Sequence, residues 1–167
     1  MAIPTEPIGS IPRPLELIMA ITSFQLGGLT SEKLNAAYDK ALLDTIMRLE
    51  RTGSPVLTDG EQSKPSFATY PLSGATNLAA DGVVIPFADG HRRQLPRLAS
   101  GPFRYEIHAA SYLKAAQGYT RRPLKQAVIS ASALSLLYPA EGIVDYPREV
   151  FVADLIDEAE EIGRAHV

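Results

Sequence analysis

The chain of 167 residues has no cysteine. That excludes disulfides, a thiol nucleophile and every cysteine-based zinc or iron–sulfur site within these residues. Histidine is scarce too: His91, His108 and His166 are the only three. No two stand at metal-ligand spacing, so each reads as structural or exposed. Charge of either sign is not in excess, with 16 basic and 19 acidic residues and a net charge of −3. This balance gives no footprint for nucleic acid or an anionic membrane. The basic pairs Arg92-Arg93 and Arg121-Arg122 read as solvated surface. No apolar run approaches the roughly 20 residues of a membrane helix, and no basic region followed by an apolar core opens the chain. The expectation is a cytoplasmic protein with a small-molecule partner, and neither nucleic acid nor membrane.

What is present is a globular composition, 46% hydrophobic and 21% charged, which argues against wholesale disorder. Pro4, Pro7, Pro12 and Pro14 confine the first residues to extended and turn conformations, with Ile8 the one candidate for a buried strand residue. Thr30 or Ser31 then caps a predicted helix whose apolar positions are Leu34, Ala37, Tyr38, Ala41, Leu42 and Leu49, closed by Gly53. Residues 55–58 (PVLT) follow as a short strand, completing a βαβ unit. From Val83 onward, β-type residues flank Asp89-Gly90, a hairpin signal whose alternation extends to Ile107. A helix from His108 to the Gly118 stop, a third strand at 127–129 and a serine-bearing loop come next. The last helix opens at Tyr146-Pro147-Arg148-Glu149, with Phe151, Leu155, Ile156 and Ala159 as its apolar face. Alternation of this kind predicts an α/β fold with a parallel sheet.

Two short stretches carry the chemistry: IGSIPRP, Ile8 to Pro14, and LTDGEQSKPSFATYPL, Leu57 to Leu72. In a right-handed βαβ unit, the residues after Ile8 and after Thr58 emerge at the same carboxyl edge, where α/β folds build their sites. Gly9 allows close approach to the backbone, and Ser10 offers a hydroxyl and an amide. Asp59 and Glu61 supply negative charge on the neighbouring loop. Donors on one loop and carboxylates on the next suit a zwitterion such as an amino acid. The same T-D-G-E is also a common turn, in which Asp59 bonds its own backbone and Glu61 faces water. Arg13 is either a clamp for a carboxylate or a surface arginine. Ser130, Ser132 and Ser135 lack the context of an esterase nucleophile, and Tyr70, Tyr105, Tyr112 and Tyr119 read as packing residues. No complete catalytic constellation is legible.

IGSIPRP, TDGEQSKPSFATYPL, IPFADGHRRQLPRLASGPFRY, KQAVISASALSLLYP and YPREVFVADLIDEAEEI resemble, in order and content, the cobalamin-independent methionine synthase family. More narrowly, they are similar to the short bacterial members related to its C-terminal catalytic half, over residues 5 to about 161. The resemblance implies a (β/α)8 TIM barrel, of which this chain holds the N-terminal portion, about three βα units plus the hairpin excursion. It implies a zinc-dependent methyltransferase moving a methyl group from a methylfolate-type donor to homocysteine. Ile8, Gly9 and Ser10 would contact the polar end of the amino acid, and Glu61 would receive its ammonium group. Asp59 stands where the longer enzymes carry a histidine, which leaves its role open. The family's zinc ligands, a His-x-Cys pair, a glutamate and a later cysteine, have no counterpart here. A coenzyme M transferase or lyase of the same superfamily, and a non-catalytic α/β binding module, are the alternatives. IGRAHV, the closing six residues, matches one frame of a common sequencing adapter, so 162–167 are expected to be a non-native tail on a domain of 1–161. A barrel opened after its third unit is expected to self-associate through the exposed edge.

Overall fold

The computed structural model describes residues 5–107 and 110–165, with side chains described as far as residue 162. The fold is α/β. Among the described residues it has five α-helices: α1 (Leu15–Gln25), α2 (Ser31–Arg51), α3 (Ala110–Gln117), α4 (Ala131–Leu134) and α5 (Arg148–Ala165). Its strands form two antiparallel pairs. β1 (Leu78–Ala79) lies against β4 (Arg97–Leu98), and β2 (Val84–Pro86) against β3 (Arg92–Gln94). The chain divides into two compact units, Met1–Phe67 with Ser111–Ala127, and Ala68–Ala110 with Val128–Val167.

In the first unit, α2 forms where its sequence predicts. Thr30 takes an extended backbone and its hydroxyl accepts from the Lys33 N–H, supplying one of the helix's orphan donors with a partner. Leu34, Ala41, Leu42, Thr45 and Ile46 form its buried stripe, and Gly53 turns left-handed just past its end. Leu42 and Ile46 meet Leu57 and Ala116 in the core of this unit, with Leu49 and Leu124 at its margin. Helix α1 is an addition that periodicity did not reveal. Its apolar residues surround the axis, so no single stripe stands out: Leu17 is buried, while Leu15, Ile18, Met19 and Phe24 are exposed.

The expected parallel strands are reduced to one contact. Leu57 pairs with Leu124 in a single parallel bridge, its N–H donating to Pro123 O and its carbonyl accepting from the Lys125 N–H, both at 2.9 Å. The third strand expected at 127–129 therefore makes its contact three residues earlier, and neither it nor the Ile8 segment belongs to a ladder. Prolines explain much of this, because Pro7, Pro55 and Pro123 cannot donate to a ladder. Ile8 itself is 90% exposed rather than buried. Side chains alternate along an extended chain, and Gly9 takes the inward position, so Ile8 must face out.

In the second unit the Asp89-Gly90 hairpin is present, with Ile85 opposite Arg93 and Gly90 at φ +87°. His91 sits in its turn, stacked on Phe87 with ring centroids 4.3 Å apart and paired with Asp89. The alternation expected to continue to Ile107 ends at Leu98, beyond which the chain is irregular through the Gly101-Pro102 bond. The serine-bearing segment is a helical turn rather than a loop. Ser130 caps α4 by accepting from the Ala133 N–H, and a 3-10 turn, Ser135–Leu137, follows.

Phe151 and Leu155 of α5 enter a core with Leu72, Leu95, Leu98, Phe103, Ile129, Leu134, Leu137 and Tyr146. Ile156 and Ala159, expected on the same face, are exposed. The inward stripe is instead Phe151, Asp154, Leu155, Glu158 and Ile162, which admits two carboxylates because each finds donors. Asp154 accepts from the Tyr146 hydroxyl at 2.5 Å and pairs with Arg104 at 2.7 Å. Glu158 accepts from the Tyr105 N–H at 2.8 Å. No described helix is long and apolar enough to cross a membrane. His108 and His166 lie outside the described residues, as does the last residue of the expected tail.

Candidate functional site

The two stretches singled out by sequence meet inside the first unit. The Ile11 N–H donates to Gly60 O at 3.1 Å, and the Thr58 hydroxyl donates to Gly9 O at 3.2 Å. Thr58 Oγ1 also accepts from the Gly60 N–H at 3.3 Å. The Gln62 amide completes the join by donating to Ile11 O and Gly60 O, at 3.3 and 3.2 Å. Segments 9–11 and 58–62 are thus joined by one backbone hydrogen bond, with the Thr58 and Gln62 side chains supplying what a sheet ladder would otherwise provide.

Two successive residues of this loop are left-handed: Gly60 at φ +61° and Glu61 at φ +57°. Glycine is required at 60 on a second ground, since a Cβ there would lie 2.8 Å from Thr45 Cγ2 and 2.9 Å from Ile11 Cγ1. Glu61 has no such freedom and holds the conformation at a cost of about 1–2 kcal/mol. It is nevertheless buried, and its carboxylate lies against Gly9: a Cβ on Gly9 would stand 2.9 Å from Glu61 Oε1 and 3.3 Å from Ala127 Cβ. The close approach that Gly9 permits is therefore first of all an approach by Glu61. Ser10, next in line, is exposed.

Asp59 combines the two uses that its sequence left open. Its Oδ1 accepts from the Glu61 N–H at 3.0 Å, an Asx turn. Its Oδ2 lies 2.8 Å from the Lys64 ammonium, both side chains being almost wholly buried. The cation that Asp59 meets is internal. Lys64 also stands over the Tyr112 ring, 5.7 Å from its centroid. Arg13 is neither a free clamp nor a surface residue. Its guanidinium donates to Gln62 O at 3.2 Å, to Glu61 O at 3.4 Å and to Lys64 O, gathering three carbonyls of the turn. Gln62 Oε1 is buried with no hydrogen-bond partner among the described residues. A strained glutamate and an unmet acceptor in one loop are the kind of cost that folds retain at binding sites.

Of the five residues expected at the site, Gly9, Asp59 and Glu61 are brought together, while Ile8 and Ser10 line the solvent side of the same segment. Lys64 was not legible: five positions from Asp59 in a polar run, it matches no helical or strand period. Zinc does not fit the residues present. The chain has no cysteine, and the described residues contain no group of three His, Asp or Glu able to hold a metal.

No family model matches the chain, and no curated protein sequence matches it. Solved structures do. A B12-independent methionine synthase from Shewanella sp. W3-18-1, solved with selenomethionine, superposes with a TM-score of 0.69 at 20% identity. The match covers 98% of this chain and 49% of that one. A putative vitamin-B12-independent methionine synthase from Listeria monocytogenes gives 0.68 at 21% identity, covering 95% and 46%. The chain spans about half the length of the structures it matches. Over nearly all of its own length, it has the fold that these B12-independent methionine synthases have over the part it covers.

Proposed function

We propose that the chain is the N-terminal portion of a (β/α)8-barrel methyltransferase of the cobalamin-independent methionine synthase type, carrying the amino-acid end of its site. In this reading the parent enzyme transfers a methyl group from a methylfolate-type donor to homocysteine. The Ile8-Gly9-Ser10 segment faces the carboxylate of the amino acid and Glu61 faces its ammonium group. One observation carries the reading: a buried carboxylate in a strained backbone, laid against the one residue of the neighbouring segment that has no side chain. The shared fold supports it.

A coenzyme M transferase or lyase is disfavoured by the same carboxylate, because that thiol carries a sulfonate and no ammonium for Glu61 to meet. Because the residues present do not fit zinc, the chain on its own holds the amino acid and does not activate a thiol through a metal. It acts as a binding unit. Self-association through the edge beyond 127–129, and a cytoplasmic location, belong to the same reading.

The test is calorimetric titration of the chain with L-methionine and L-homocysteine. Saturable binding of both is expected, weakened at least about tenfold in Glu61→Gln, which keeps the shape and loses the charge. Absence of saturable heat with either ligand overturns the proposal.

A further inference from the structure

We infer that Lys64 and Asp59 form a positioning pair for this site, holding Glu61 in its left-handed conformation and its carboxylate against Gly9. For the ligand this rests on the function proposed above; for the loop it stands alone. A glutamate at φ +57° relaxes unless its surroundings over-determine it. Residue 61 is flanked on both sides by the partners of one buried ion pair. Asp59 fixes the Glu61 N–H through Oδ1 at 3.0 Å and reaches Lys64 through Oδ2 at 2.8 Å. The Lys64 N–H donates back to Glu61 O at 3.3 Å, so the pair closes a ring around the residue. Arg13 locks the ring from outside through the carbonyls of 61, 62 and 64.

A surface turn would need none of this. Asx turns form readily in water, whereas taking a lysine and an aspartate out of water is favourable only where the geometry and further hydrogen bonds compensate. The pair therefore serves the conformation of the residue between its members, and neither member need touch the ligand.

The test uses the double variant Asp59→Asn, Lys64→Met in the whole chain. It removes both charges together, keeps an amide oxygen for the Asx turn and leaves neither Asp59 nor Lys64 as a buried charge facing a lost partner. Lys64→Met alone strands Asp59 and is expected to lower the melting temperature. In the double variant, amide hydrogen exchange at Glu61 and Lys64 should accelerate at least about tenfold while the amides of α2 stay protected as before. The dissociation constant for L-methionine should rise at least about tenfold.

Unchanged exchange at Glu61 and Lys64 overturns the inference whatever the ligand does. Faster exchange with undiminished methionine affinity overturns it as well. If the unaltered chain binds no methionine but exchange accelerates locally, the function proposed above fails and the positioning pair stands.

Discussion

Gly60 and Gly90 are both left-handed glycines in turns, and they separate two reasons for a glycine. At Gly90 nothing lies within 4 Å of where a Cβ would be; at Gly60 Thr45 and Ile11 already occupy the space. Gly90→Ala should cost only the backbone term, about 1–2 kcal/mol. Gly60→Ala adds a steric clash and should cost about 2–4 kcal/mol, read as a larger fall in the urea midpoint at unchanged slope. Equal losses would show that helix α2 gives way freely around Thr45. The sequence made the special backbone at 60 legible through the D-G pair. It could not show that residue 61 shares that backbone, because glutamate carries no marker for positive φ. Nor could it show that Lys64 turns inward, since a buried lysine is defined by a partner brought to it in space.

At the level of elements, α5 shows how a carboxylate stripe is buried. Burial alone pushes the Asp154 carboxyl up, but hydrogen bonds from Tyr146 and Arg104 outweigh it and hold it below the ordinary 3.8. Tyr146, desolvated and bonded to that carboxylate, is pushed up to about 12, and burial raises Tyr105 to about 12 as well. The signs fix the pH window. A depressed acid contributes stability above its ordinary pKa and loses it as pH falls through the depressed one. A raised phenol contributes below pH 10 and loses it as pH rises toward 12. Stability should therefore be flat with respect to these groups between about pH 5 and 9 and fall on both sides. Tyr146→Phe should lower stability by about 1–3 kcal/mol, because Asp154 and the Phe103 N–H each lose a buried partner. It should also flatten the alkaline limb in a pH series of thermal melts; an unchanged limb would assign that limb to other tyrosines. The helix itself was legible from Pro147 and Phe151. Its rotation was not, because a hydrophobicity pattern places Asp154 and Glu158 outside, and donors from Arg104, Tyr105 and Tyr146 bring them in.

For the whole molecule, helices α2, α3 and α5 and the hairpin excursion could be read in advance, whereas α1, α4 and the extent of strand pairing could not. Periodicity marks which residues can pair, but the single Leu57–Leu124 bridge depends on prolines removing donors around it. In the reading proposed above, a barrel edge left open with so little pairing should associate with itself. Sedimentation velocity over a tenfold range of concentration is expected to show a mass that rises with concentration. A monodisperse monomer with one cooperative melt would count against the open edge.

The division into units has a consequence for how the chain is made. Each unit is assembled from two separated stretches, 1–67 with 111–127 and 68–110 with 128–167. A ribosome delivers the chain in order, so Leu57 leaves the tunnel long before Leu124, and Phe103 well before Tyr146 and Phe151. The first unit has to wait, with part of its core uncovered, while the opening stretch of the second is synthesised. Neither unit is complete until its second stretch is made, and the first is most vulnerable to aggregation and proteolysis before residue 127 emerges.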